Sequence, residues 1–171
     1  MLIGLGELLA VGISITSIAF IVWLAVKRSS KNRLLNITLE NLKSMTPKDF
    51  EYTTAEILRR LGYKDIKVIG RSGDLGVDIL AVKDGKKVAV QCKKYITKKV
   101  TSPKIQLFIG MMITEYKADK GLYVTTSYYT RDAYHLAKKH KDKLEIWTGR
   151  TLAEILLRLQ QQEQQQSIKK D

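Results

Sequence analysis

Two alternating strands joined by Asp84-Gly85 constrain this chain more than any other feature of its sequence. Residues 77–83 read VDILAVK and residues 86–95 read KKVAVQCKKY. An Asp-Gly pair between two such runs is a strong hairpin signal, because both turn residues then take positive φ. A two-residue loop sets Lys83 opposite Lys86, and a symmetric four-residue loop gives the same register. Counting outward, Asp78 lies opposite Gln91 and Gly76 opposite Lys93. Paired residues of an antiparallel ladder share a face, as do residues two apart on one strand. Asp78, Gln91 and Lys93 are therefore expected to cluster on one face. Val77, Ile79, Ala81, Val88, Val90 and Cys92 form the other, wholly apolar face. A one-residue slip would bury the polar set, so the alternation itself supports the register. Cys92 reads as a small core residue rather than a nucleophile. As the chain's one cysteine, it excludes an internal disulfide and any multi-cysteine metal site, and it fits a reducing compartment.

The surrounding sequence predicts helices interleaved with strands. Thr46-Pro47 opens a helix, with a hydroxyl cap and then proline at the first helical position. Phe50, Ala55, Ile57, Leu58 and Leu61 supply its apolar stripe, and Gly62 ends it. A strand over 66–69 and a turn-rich loop over 71–76 lead into the hairpin. A second helix starts at Ser102-Pro103, a buried strand spans 121–126, and Thr130 caps a third helix. A strand over 144–148 precedes a last amphipathic helix through Leu152, Ile155, Leu156 and Leu159. This order implies an α/β fold with a mixed sheet covered on both sides. The glutamine-rich tail, 160–171, either prolongs the last helix or stays irregular.

The N-terminal part is of a different kind. Residues 8–26, LLAVGISITSIAFIVWLAV, carry no charge and have the length of a membrane-crossing helix. Trp23 suits a lipid–water boundary. A signal peptide would have a basic start, but the first charged side chain is Glu7. Lys27, Arg28, Lys31 and Arg33 follow directly, and the positive-inside tendency places that end in the cytoplasm. The expected organisation is a transmembrane anchor over 1–26, a basic, partly helical connector over 27–45, a domain over 46–159 and the tail. The protein would sit in the cell membrane as a single-pass chain with a cytoplasmic C-terminal domain. The 171 residues leave room for one domain with a real core, and the net charge of +13 points to nucleic acid or an anionic membrane surface as partner.

An Asp carboxylate and a Gln carbonyl oxygen can bind a hard cation such as magnesium. Such a cation polarises a phosphoryl oxygen and acidifies a bound water, and a nearby lysine can stabilise developing negative charge. Gly76 leaves room for a phosphate backbone. On spacing alone, a solvated hairpin face accounts for these residues at least as well.

Further residues carry a resemblance. GDLGVDI (73–79) followed by VQCKKY (90–95) resembles the Mrr-like branch of the restriction-endonuclease superfamily, with its PD-(D/E)xK core. Phe50-Glu51, Leu61-Gly62-Tyr63, Gly121 to Ser127, Thr130, Ala133 and Leu152 fit the same pattern, which covers about 45–157. The resemblance implies a restriction-endonuclease-like three-layer fold and metal-dependent hydrolysis of DNA, with Mg2+ or Mn2+ as cofactor. Many members act on modified DNA in bacterial defence. Asp78 matches the central metal-binding aspartate, Lys93 the catalytic lysine, and Glu51 the first-helix glutamate near the metal. Gln91 stands where the wider superfamily has Glu or Asp; it is common in this branch, but it removes one negative charge. Asp74 reads as a turn former. The alternative is a non-catalytic, membrane-tethered DNA-binding module that keeps the fold. A homodimer is compatible with either, since cutting both strands usually takes two sites.

His135 and His140 lie near the lysines 138, 139 and 141 without metal-ligand spacing, and read as surface residues. Lys94, Lys98, Lys99 and Lys104 could track phosphates without reading sequence. Tyr95, Tyr128 and Tyr129 could stack on bases or pack. Thr125 to Ser127 end a strand, where a phosphate-binding or site-supporting role is open.

Overall fold

In the computed structural model, residues 5–70 and 76–168 are described, except for the side chains of 5–16 and 31. The chain divides into two compact units, 1–37 and 38–171. One helix, α1 (Leu5–Ser44), begins in the first unit and ends in the second. The connector expected to be only partly helical is thus helical throughout its length to Ser44. No proline or glycine interrupts residues 13–44, and its lysines, arginines and leucines are good helix formers.

Ile18, Phe20, Ile21, Val22, Trp23, Leu24 and Val26 are exposed on α1. Among the described residues no helix is long and apolar enough to cross a membrane. The expected span 8–26 is only partly covered by that statement, because the side chains of 8–16 lie outside the described residues.

The second unit orders as α2 (Pro47–Arg60), β1 (Lys64–Val68), β2 (Ile79–Lys83), β3 (Lys86–Lys93), α3 (Ser102–Thr114), β4 (Lys120–Thr125), α4 (Arg131–Lys139), β5 (Leu144–Trp147) and α5 (Gly149–Ile168). Thr46 caps α2 as expected, its hydroxyl oxygen accepting from the Asp49 N–H at 3.1 Å. Thr130 caps α4 in the same way. The glutamine-rich tail continues α5 to Ile168.

The five strands form one sheet in the order β1-β2-β3-β4-β5. The first two pairings are antiparallel and the last two parallel. Lys83 pairs with Lys86, and the ladder runs outward to Ile79 against Val90. Asp84 and Gly85 take φ of 51° and 73°, the two positive values that a two-residue turn with the strands' own twist requires.

Helices α2 and α5 pack together on one face of the sheet, and α3 and α4 together on the other. On the α2 side Ile79, Ala81, Val88, Val90, Cys92, Leu122 and Val124 are all buried. On the α3 side Ala89 and Tyr123 join Phe108 and Met112 in the core. Val77 corrects the expected face. It is fully buried, but within the α3-side cluster. Strand β2 begins only at Ile79, and Gly76 at φ 80° swings the preceding backbone out of the alternation.

Candidate active site

The hairpin register delivers Asp78 and Gln91 to each other. Gln91 Nε2 donates to Asp78 Oδ2 in a short contact, and the Cys92 N–H donates to the same oxygen at 2.6 Å. Both side chains are buried, with Asp78 at 5% and Gln91 at 3% exposure. A buried carboxylate must gather donors, because desolvation without them costs several kcal/mol. The Asp78 backbone is held as firmly. Its N–H donates to the Val90 carbonyl at 2.8 Å, and its carbonyl accepts from Ile69 and Gly70 at 2.8 and 3.1 Å. Gln91 Oε1 sits where a side chain on residue 76 would begin, 3.0 Å from an ideal Cβ at Gly76.

Glu51 reaches the cluster from α2, the layer opposite α3. Its carboxylate lies against Gly70, with Oε2 2.5 Å from where a Cβ there would stand. Gly70 is, with Ile69, one of the two residues that donate to the Asp78 carbonyl, so Glu51 and Asp78 flank one short backbone segment. Lys93, half-buried, ends β3. Its position opposite Thr125 in the parallel ladder puts it on the same face as Gln91 and Tyr123.

All four residues singled out in the sequence therefore belong to one end of the sheet. Their shared influence is visible at Cys92. Burial raises its thiol pKa well above the ordinary range, and the Asp78 charge adds to that. A hydrogen bond to Thr54 and the Lys93 charge act against it, while Glu51 raises it further. A thiol held protonated among core residues is no nucleophile at neutral pH, as the alternation implied. Asp74 lies outside the described residues. Among the described residues no three His, Cys, Asp or Glu side chains gather as a metal cluster.

Sequence reasoning left open the role of the segment after β4, and the geometry supplies one. Thr126 Oγ1 accepts from the Tyr95 N–H at 2.9 Å and donates to the Tyr95 carbonyl at 2.7 Å. Thr125 Oγ1 donates to the Lys93 carbonyl at 2.7 Å. Two adjacent hydroxyls thus fix the backbone on both sides of Lys94 and hold the end of β3, where Lys93 stands. The Thr-Thr-Ser run was the available signal, but its targets lie about thirty residues away and no local pattern names them. Lys104 rests on Tyr95, with Nζ 2.5 Å from the hydroxyl and 4.6 Å from the ring centre. Tyr129 packs rather than stacks on bases: its hydroxyl donates to the Tyr123 and Trp147 carbonyls. Tyr128 is exposed. His135 is exposed and His140 half-buried at the end of α4.

A mixed sheet between two helical layers, with Asp78 and Gln91-x-Lys93 meeting across its first hairpin, defines a class: the restriction-endonuclease-like nuclease fold. Solved structures share this fold. The DNA modification-dependent restriction endonuclease AspBHI superposes with a TM-score of 0.59 at 18% identity, over 72% of this chain and 35% of that one. The MspJI restriction endonuclease, solved with a 27-mer oligonucleotide, superposes with a TM-score of 0.54 at 21% identity, over 71% and 30%.

The restriction endonuclease family, in its Mrr catalytic segment, matches residues 42–156, and the chain belongs to that family. The type IV methyl-directed restriction enzyme EcoKMrr of Escherichia coli (strain K12) is 36% identical over 107 residues, which are 58% of this chain and 34% of the relative. The chain spans about a third of the length of these relatives.

Proposed function

We propose that this chain is a divalent-metal-dependent DNA endonuclease tethered to the cytoplasmic face of the cell membrane. The observation that carries the nuclease reading is the buried Asp78–Gln91 pair, with Lys93 two residues further along the same face. The residues fit a hard cation, since the Asp78 and Glu51 carboxylates and the Gln91 carbonyl are oxygen ligands of the kind magnesium and manganese take. When bound, the cation supplies a Lewis acid for the phosphoryl oxygen and a more acidic water. Asp78, Gln91 and Glu51 are the residues that would hold it. Lys93 faces the scissile phosphate and stabilises its developing charge. An amide in place of a second hairpin carboxylate leaves one negative charge fewer, so weak cation binding is expected.

Lys93→Ala is expected to lower the single-turnover cleavage rate by about 100-fold while changing DNA affinity only a few-fold. Cleavage at the parent rate would remove Lys93 from the chemistry. Relatives described as methyl-directed and modification-dependent make modified DNA the proposed substrate. The ratio of cleavage rates on methylated and unmethylated plasmid reports it.

Thr126 acts as a positioning residue through Tyr95 and the end of β3. Thr126→Val keeps the shape and removes both hydrogen bonds to Tyr95. It should cost about 1–3 kcal/mol of stability and lower kcat by roughly 10-fold with KM nearly unchanged. Thr126→Ser should restore most of both. A kcat equal to that of the parent would confine Thr126 to a structural part.

The tether rests on the charge-free run 8–26, on its basic flank and on the exposed apolar side chains of α1. Extraction of the chain from cells by detergent but not by salt or carbonate is the expected result. Cutting both strands of a duplex calls for two such sites, which motivates a homodimer. One observation favours the alternative, a non-catalytic DNA-binding module: Asp78 Oδ2 is already taken by two N–H donors. Salt-sensitive DNA binding that survives loss of Asp78, with no cleavage in any metal, would select it.

A further inference from the structure

The far end of the sheet carries a second feature that the nuclease reading does not use. Lys83, Lys86, Lys120, Lys141 and Lys143 come from three strands and the α4–β5 loop to line a cleft of about 430 Å³. Two acids share it. Asp84 occupies the hairpin turn, and Glu145 accepts from the Trp147 indole N–H at 2.6 Å. Among the described residues none of the five lysines forms an ion pair. Lys83 instead donates to the Leu61 carbonyl at 2.7 Å and lies over the Tyr63 ring, while Lys120 donates to the Asp142 carbonyl. These backbone bonds hold the two ammonium groups in place without neutralising them. Lys86, Lys141 and Lys143 are exposed.

The cleft does not end at Lys141. It shares Lys141, Leu144 and Glu145 with an adjoining cleft of about 330 Å³, which adds Lys138 and runs to the outer strand β5. A concave track of lysines suits a polyanion followed along its backbone, and lysine acts there as a point charge that reads no sequence. A compact headgroup would fill one cleft and leave the other. Lys86 and Lys93 stand at opposite ends of β3, seven residues and so roughly 23 Å apart. A duplex crossing the catalytic end at right angles to that strand meets the Lys93 end and leaves this one open to a further segment.

We infer that this track binds the phosphate backbone of a second DNA segment, separate from the one at Asp78 and Lys93. Only the choice of DNA as the polyanion rests on the nuclease reading. The consequence is a chain that holds two stretches of DNA at once.

The test uses the full chain in detergent, with a fluorescent 12-base-pair duplex as probe and EDTA present. The comparison is with the triple variant Lys86→Glu, Lys141→Glu, Lys143→Glu, whose three sites are exposed and outside the core. Sedimentation at low salt should count two duplexes per chain for the parent and one for the variant. The slope of log affinity against log salt should fall by about 2–3 as the three phosphate contacts are lost. Cleavage of the same duplex in magnesium should remain within about two-fold. One duplex per chain for both proteins, or an unchanged salt slope, overturns the inference. So does a variant that keeps two duplexes but loses retention on phosphatidylserine vesicles relative to phosphatidylcholine, since lipid would then be the occupant. A parent that counts two duplexes and cuts neither leaves the second site standing and removes the nuclease reading, so the two failures separate.

Discussion

Without divalent cation, Gln91→Glu is expected to unfold several degrees below the parent chain, and to recover when magnesium is added. The physical cause is the contact at the centre of the site. Gln91 Nε2 donates to Asp78 Oδ2 inside the protein, and a carboxylate there would replace a donor with a second acceptor of like charge. An unsatisfied buried acceptor costs about 1–3 kcal/mol, and more when charged. For a domain of this size that lowers Tm by roughly 4–15 °C. The like-charge pair holds one carboxyl protonated above its unfolded range. The deficit is therefore full at neutral pH and shrinks as the pH falls into the carboxylate range, where a shared proton restores the donor. A cation bound between the two carboxylates favours the folded state by mass action. The magnesium-dependent rise in Tm should thus be larger in the variant than in the parent. Thermal melts at several pH values, with and without magnesium, decide it. Equal melting of the two proteins in EDTA would mean that residue 91 does not donate to Asp78.

The second large effect lies where α5 begins. Gly149 is buried, and a methyl there would overlap the Thr126 carbonyl, 2.8 Å from its carbon and 2.6 Å from Leu39 Cδ1. The colliding carbonyl is backbone, which cannot rotate away as a side chain would. Gly149 also donates to the Ser127 carbonyl at 3.3 Å. Gly149→Ala is expected to cost about 2–4 kcal/mol. The strain falls on the same Thr126 that clamps Tyr95, so cleavage should drop beyond what the folded fraction explains. Denaturant unfolding and single-turnover cleavage under fully folding conditions separate the two effects. A variant as stable as the parent would show that α5 can move off the β4 end at no cost.

The hairpin was legible because its pattern is local. The Asp84-Gly85 turn pairs Lys83 with Lys86, and that register carries Asp78 to Gln91. The expectation that the polar face stays outside the core does not hold, because Asp78, Gln91 and Ala89 are buried along with Ile79, Ala81, Val88 and Val90. Helix caps at Thr46 and Thr130 were legible because they too are local. Val77 was not, because periodicity carries no sign that Gly76 turns the chain out of the strand. Strand β1 shows the same limit. Asp65 at φ 51° and a register irregularity between Lys64 and Lys67 start it two residues before the apolar run begins. The contact of Glu51 with Gly70 joins α2 to the segment after β1, and the Thr126 clamp joins β4 to the end of β3. Both depend on how layers pack, which composition and spacing do not encode. The family resemblance marked Glu51 and the stretch from Gly121 to Ser127, but nothing in the sequence named Tyr95 as the partner of Thr126.

The most direct test of the nuclease reading is plasmid cleavage by the full chain in detergent, beside Asp78→Ala. Methylated and unmethylated DNA are each incubated with magnesium, with manganese and with EDTA. The expected result is nicking or linearisation by the parent in either metal, none in EDTA, and a loss of at least about 100-fold in Asp78→Ala on the preferred substrate. Cleavage that persists in EDTA, or that Asp78→Ala retains at the parent rate, would contradict a metal-dependent nuclease centred on Asp78.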